Sequence, residues 1–113
     1  MTHEELTGLI KRMIRIVGIE ADARKVTEEC AELVVALSRY LDGRGTLQEL
    51  AEETADVSIM LEHIPHLLEA ISRARNGQFV EKAEGFESMT SYYRKMKLQR
   101  LRQRVEHAEA KPC

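Results

Sequence analysis

The chain contains no tryptophan, three tyrosines and two phenylalanines, too few to build a large base-stacking surface. Its two cysteines, Cys30 and Cys113, have no metal-binding or redox spacing, and both are expected to be free thiols in a reducing cytoplasm. No apolar run approaches the roughly 18 residues of a membrane span. The opening MTHEELTGLIKRM is acidic and then amphipathic, unlike a signal peptide. Charge of either sign is not in excess: 17 Lys and Arg against 19 Asp and Glu leave a formal net charge of -2. That balance argues against nucleic acid and against an anionic membrane as partners. At 113 residues, the chain is expected to form a single domain, 1–113.

What is present is helical periodicity throughout. Thr2 and Glu5 make a capping box, followed by Leu6, Leu9, Ile10, Met13, Ile14 and Val17 at helical spacing up to Gly18. A second helix is predicted from about Asp22 to Asp42, with Val26, Cys30, Leu33, Val34, Leu37 and Leu41 on its apolar face. The glycines of DGRG turn the chain, and Thr46 with Glu49 caps a third helix carrying Leu50, Val57, Leu61, Ile64, Leu68 and Ile71. Pro65 predicts a kink or a break near Ile64, because proline lacks an N–H and clashes with the preceding turn. RNGQFVEKAEG reads as a flexible connection to a last helix over about 86–107, and AKPC as a frayed tail. The expected fold is all-α, a bundle of four to five helices.

Within this pattern one acidic phrase occurs twice, as EECAEL (28–33) and EETADV (52–57). Glu29 and Glu32 lie about 60° apart on one side of a helix, and Glu53 and Asp56 have the same relation. Glu53 falls within the apolar stripe of its helix and Glu29 at the edge of its own, whereas Glu28 and Glu52 project toward solvent. The short DGRG turn makes the two helices antiparallel, which puts Glu32 and Glu53 within about 4.5 Å of the same level along the axis. Four carboxylates converging there require cations, since an unpaired buried carboxylate is costly. An all-oxygen, anionic set suits Mg²⁺, with Mn²⁺ as the alternative, and leaves room for substrate phosphates. The Glu-x-x-His pairs of a carboxylate-bridged iron site are missing. The plainer reading, solvated pairs with Lys25 and Arg24, accounts for one such phrase better than for two in matched register.

The segment KVTEECAELVVALSRYLDGRGTLQELAEETADVSIMLEHI, 25–64, resembles the MazG-like family of all-α nucleoside triphosphate pyrophosphohydrolases. That family's signature is Glu-x-x-Glu, a spacer and Glu-x-x-Asp, with a lysine shortly before. Glu29, Glu32, Glu53 and Asp56 match its four metal-ligand positions, Lys25 matches the lysine, and 20 residues separate the two halves. The resemblance implies Mg²⁺-dependent cleavage of a nucleoside triphosphate into monophosphate and pyrophosphate, as in nucleotide-pool housecleaning or dNTP trimming. It implies a cytoplasmic homodimer or homotetramer. Glu32 or Glu53 is then the candidate catalytic base.

Cations for the pyrophosphate are expected from Lys25 and from RKMKLQRLRQR, where Lys97, Arg100 and Arg104 share one helix face; a solvated basic face is the equal alternative. His63 and His66 project by the same angular count toward the polar side, away from the acids, as surface residues. Tyr92, Tyr93, Phe79 and Phe86 are candidates for base stacking, with a place in the core as the plainer reading. The competing functional class is a non-catalytic helical module that binds metal or a partner.

Overall fold

The structure, a computed structural model, describes residues 1–75 and 85–112. Among them the chain is all-α, with four helices: α1 (His3–Val17), α2 (Ile19–Leu41), α3 (Leu47–Arg75) and α4 (Phe86–Ala110). They belong to two compact units, Met1–Lys82 and Ala83–Cys113. None of these helices is long and apolar enough to cross a membrane. Most of the connection expected at RNGQFVEKAEG, including Phe79, lies outside the described residues, as does Cys113.

The local chemistry of the first unit follows its caps. The Thr2 hydroxyl accepts from the Glu5 N–H at 3.0 Å and opens α1. Gly18, at φ 94°, closes it by donating its N–H to the Ile14 carbonyl. This left-handed backbone costs glycine little and lets one residue separate two helices. The Gly18 carbonyl then accepts from Asp22 N–H, so α2 begins at Ile19, earlier than the periodicity alone suggested. At the far end, Arg44 and Gly45 N–H groups both donate to the Arg39 carbonyl, and Gly43 at φ 75° carries the turn. The Thr46 hydroxyl accepts from Glu49 N–H at 3.1 Å and starts α3.

α2 and α3 form the main helix pair, and α1 packs against both at the end away from the DGRG turn. The core is small. Ile10 and Ile14 of α1, Val26 of α2 and Leu67 of α3 are buried together, with Cys30, Met60, Ile64 and Ala70 packed around them. The periodic residues Val34, Leu37 and Leu41 of α2, predicted on its apolar face, are exposed in the single chain. α1 does not reach that far along the pair, so among the described residues of this unit nothing covers them.

The break at Pro65 does not occur: α3 continues through it to Arg75. Proline in a helix interior costs about 3 kcal/mol. Ile64, Leu67 and Ala70, which bracket Pro65, all pack against α1 and α2, and this burial offsets the lost hydrogen bond. In the second unit, α4 has no buried residue. Tyr92 and Tyr93 are exposed on it and meet edge to face at 5.3 Å, so neither is a core residue there.

Candidate metal centre

The antiparallel pair α2/α3 brings carboxylates from both acidic phrases to one place. One oxygen each from Glu29, Glu53 and Asp56 lie within 4.8 Å of one another. Glu29 is more deeply set than its place at the edge of a stripe suggested, with 5 % of its surface exposed. Glu53 is half-buried, and Asp56 is exposed at the mouth. Glu28 and Glu52, the leading acids of each phrase, are exposed.

Glu32 adjoins this triad, with its carboxyl in hydrogen-bonding reach of Glu29 and Glu53. It is exposed and lines a neighbouring cavity of about 350 Å³ together with Ala36, Arg39, Glu49 and Glu53. Of the neighbouring charges, that of Glu32 disfavours ionisation of Glu53 the most. Three of the four expected carboxylates thus bring one oxygen each within 4.8 Å of one another, and Glu32, exposed to solvent, adjoins them.

The electrostatics of the triad are divided. Lys25, one turn before Glu29, places its Nζ 2.6 Å from Glu29 Oε1. That bond holds the Glu29 carboxyl below its ordinary range and the Lys25 ammonium above its own. Among the described residues Glu53 forms no ion pair with a cation. Burial first, then the charges of Glu32, Glu29 and Asp56, push its carboxyl upward. Two carboxylate oxygens, Glu29 Oε2 and Glu53 Oε2, are buried with no hydrogen-bond partner among the described residues. Buried orphan acceptors carrying charge are what a hard divalent cation satisfies. Glu29, Glu53 and Asp56 are therefore the residues that could hold a hard cation through oxygen.

The other predicted site residues are distributed as follows. Lys25 touches the centre through Glu29, with half of its side chain exposed. Lys97, Arg100 and Arg104 are exposed on α4 in the second unit.

His63 overturns its expected place on the polar side of α3. It is 5 % exposed, and its Nδ1 lies 2.9 Å from Oδ2 of Asp22, itself 2 % exposed. The angular count took one stripe along α3 as the buried face. α1 covers a second flank of that helix, and His63 lies there beside Met60 and Leu67. Asp22 went unremarked, although it stands four residues before Val26 and seven before Glu29, on one row of α2. An acid in that row, with a histidine in the row of Met60 and Leu67, was the available signal. Comparison of the chain with protein-family models, with curated proteins and with solved structures finds no match.

Proposed function

We propose that the chain is a Mg²⁺-dependent nucleoside triphosphate pyrophosphohydrolase of the MazG-like kind. The observation that carries this reading is the triad of Glu29, Glu53 and Asp56 with its two buried, unpartnered carboxylate oxygens. Glu29 is buried and Glu53 half-buried, and among the described residues Lys25 alone forms an ion pair with the triad. Such an arrangement weakens a fold and is expected where it serves a ligand.

Glu29, Glu53 and Asp56 would hold the ion, which when bound supplies charge withdrawal from phosphate oxygens and a more acidic water. Glu32, on the flank of the triad and exposed to solvent, takes the proton as water oxygen bonds to the α-phosphorus. The bond from that phosphorus to the bridging oxygen breaks, and pyrophosphate leaves with the electron pair. Lys25, which pairs with Glu29 in the metal-free chain, would be the cation available to the phosphates beside the triad. Lys97, Arg100 and Arg104 of α4 are the further phosphate-binding candidates of this reading. A homo-oligomer, dimer or tetramer, belongs to the same reading and is supported by the uncovered apolar row of α2.

The test is pyrophosphate release from a panel of standard and modified NTPs and dNTPs with Mg²⁺. Turnover is expected on at least one of them and is abolished by Glu53→Gln. Glu32→Gln loses kcat while Mg²⁺ binding, read by calorimetry, persists. No turnover on any triphosphate, with the fold equally stable with and without metal, overturns the proposal and leaves a non-catalytic interaction module.

A further inference from the structure

The buried Asp22–His63 pair is not needed by the metal centre, yet it borders a cavity. About 620 Å³ opens between α1, α2 and α3, walled by Leu9, Met13, Val17, Ile59 and Met60, with Asp22, His63 and Lys25 as its polar residues. A concave, largely apolar site with one or two fixed polar groups is the usual form of a small-molecule pocket. Its position is specific. Lys25 lies one turn from Glu29, and Ile59 and Met60 lie one turn from Asp56, so the cavity begins about 5–6 Å along the helix pair from the triad. That offset is of the order of the ribose that separates a base from its α-phosphate.

We propose that this cavity receives the base of the nucleotide and that His63 reads the polar edge of that base, with Asp22 as its positioning residue. The substrate identity rests on the pyrophosphohydrolase reading. The apolar walls take the faces of a planar ring. Asp22 accepts from His63 Nδ1–H at 2.9 Å, which fixes the ring and the tautomer. The opposite nitrogen, Nε2, is then the hydrogen-bonding group left for the polar edge of a base. A site that fixes a polar partner in an apolar cavity discriminates between bases more sharply than an apolar wall does.

Two measurements test this. His63→Leu is expected to narrow the spread of kcat/KM across the standard nucleotides by about tenfold or more, and to alter turnover of base-free ribose 5′-triphosphate by less than about threefold. His63→Gln, which keeps an acceptor, is expected to restore part of the preference. An unchanged spread, or equal loss on ribose 5′-triphosphate, overturns the assignment and leaves the hydrolase reading intact. The second measurement needs neither metal nor turnover and covers a variant that does not fold. The free nucleosides are titrated into the wild-type protein while the His63 imidazole resonances are followed. Saturable shifts from one or more nucleosides support the base site even in a protein that hydrolyses nothing. No shift with any nucleoside at millimolar concentration overturns it.

Discussion

Lys25 Nζ rests 2.6 Å from Glu29 Oε1, on an oxygen of the same carboxylate that faces Glu53 and Asp56. The lysine therefore occupies one side of a metal ligand and competes with an ion for it. It also keeps the buried Glu29 charge tolerable, since Glu29 is held below its ordinary range chiefly by this contact. Lys25→Met is expected to lower the melting temperature of the metal-free protein and to enlarge the rise that Mg²⁺ produces. If the freed lysine moves to the phosphates, KM for the triphosphate rises roughly tenfold, the size of one charge-assisted hydrogen bond. Thermal melts with and without Mg²⁺, alongside steady-state kinetics, measure all three. An unchanged metal-free melt counts against the role of the ion pair.

Glu53 behaves in the opposite sense. Its carboxyl is raised in the folded protein, first by burial and then by Glu32, Glu29 and Asp56. A group with a raised native pKa binds its proton more readily when folded, so its contribution is fully present below the unfolded pKa. That contribution is lost as pH rises through the folded value. The metal-free protein is thus expected to lose stability from pH near the ordinary glutamate range up through the raised Glu53 value. Glu29, being lowered, acts further down: its contribution is lost as pH falls through its own depressed value. Glu53→Gln should flatten the upper limb, melt higher than the wild type at neutral pH without metal, and no longer respond to Mg²⁺. Melts from pH 4 to 8 with EDTA or Mg²⁺ decide this, and a Glu53→Gln variant less stable than wild type at neutral pH would sink the argument.

The reach of the sequence differs between these parts of the molecule. Helix periodicity, the Thr2 and Thr46 caps and the DGRG turn specify the antiparallel pair, and that pair alone brings Glu29 to Glu53 and Asp56. Spacing along one helix is local information, and it suffices where two helices joined by a short turn make the site. His63 escapes such reading because its burial depends on α1, whose angle of approach to α3 is set by packing. Asp22 and His63 are 41 residues apart, and neither has a local partner to announce the pair. The break that Pro65 allows is absent for the same reason: propensity opposes the helix there, and contacts with Ile10 and Ile14 outweigh it. Val34 and Leu41 show the converse, a periodic apolar row that the single chain leaves bare.

The basic residues of α4 carry a kinetic prediction. Lys97, Arg100 and Arg104 lie on one face of that helix, exposed, in a unit separate from the triad. If they hold phosphates of the substrate, Arg104→Ala raises KM for the triphosphate by roughly tenfold. It leaves the affinity for Mg²⁺ in the absence of nucleotide unchanged, because the grouped carboxylates all come from α2 and α3. Calorimetry with Mg²⁺ and kinetics with nucleotide separate the two effects. A KM equal to that of the wild type removes Arg104 from the phosphate site and makes this face an ordinary solvated one.

Val34 and Leu41 lie seven residues apart on one face of α2, two turns from each other, and are 67 % and 74 % exposed. Leu37 falls between them, and Leu47 at the start of α3 is bare as well. Burying a side chain of this kind contributes about 1.5–3 kcal/mol, so the row supplies a substantial share of a stable helix-to-helix interface. A second copy of the chain provides the same row, and two such rows are self-complementary across a twofold axis. Sedimentation velocity at micromolar concentration is expected to find a dimer or tetramer. Leu41→Glu puts a charge in the middle of that contact and should shift the protein to monomer. Because Leu41 touches none of the buried core of the first unit, helicity by circular dichroism should stay at the wild-type level. A wild type that sediments as monomer, or a Leu41→Glu variant that assembles as before, removes this face from the interface.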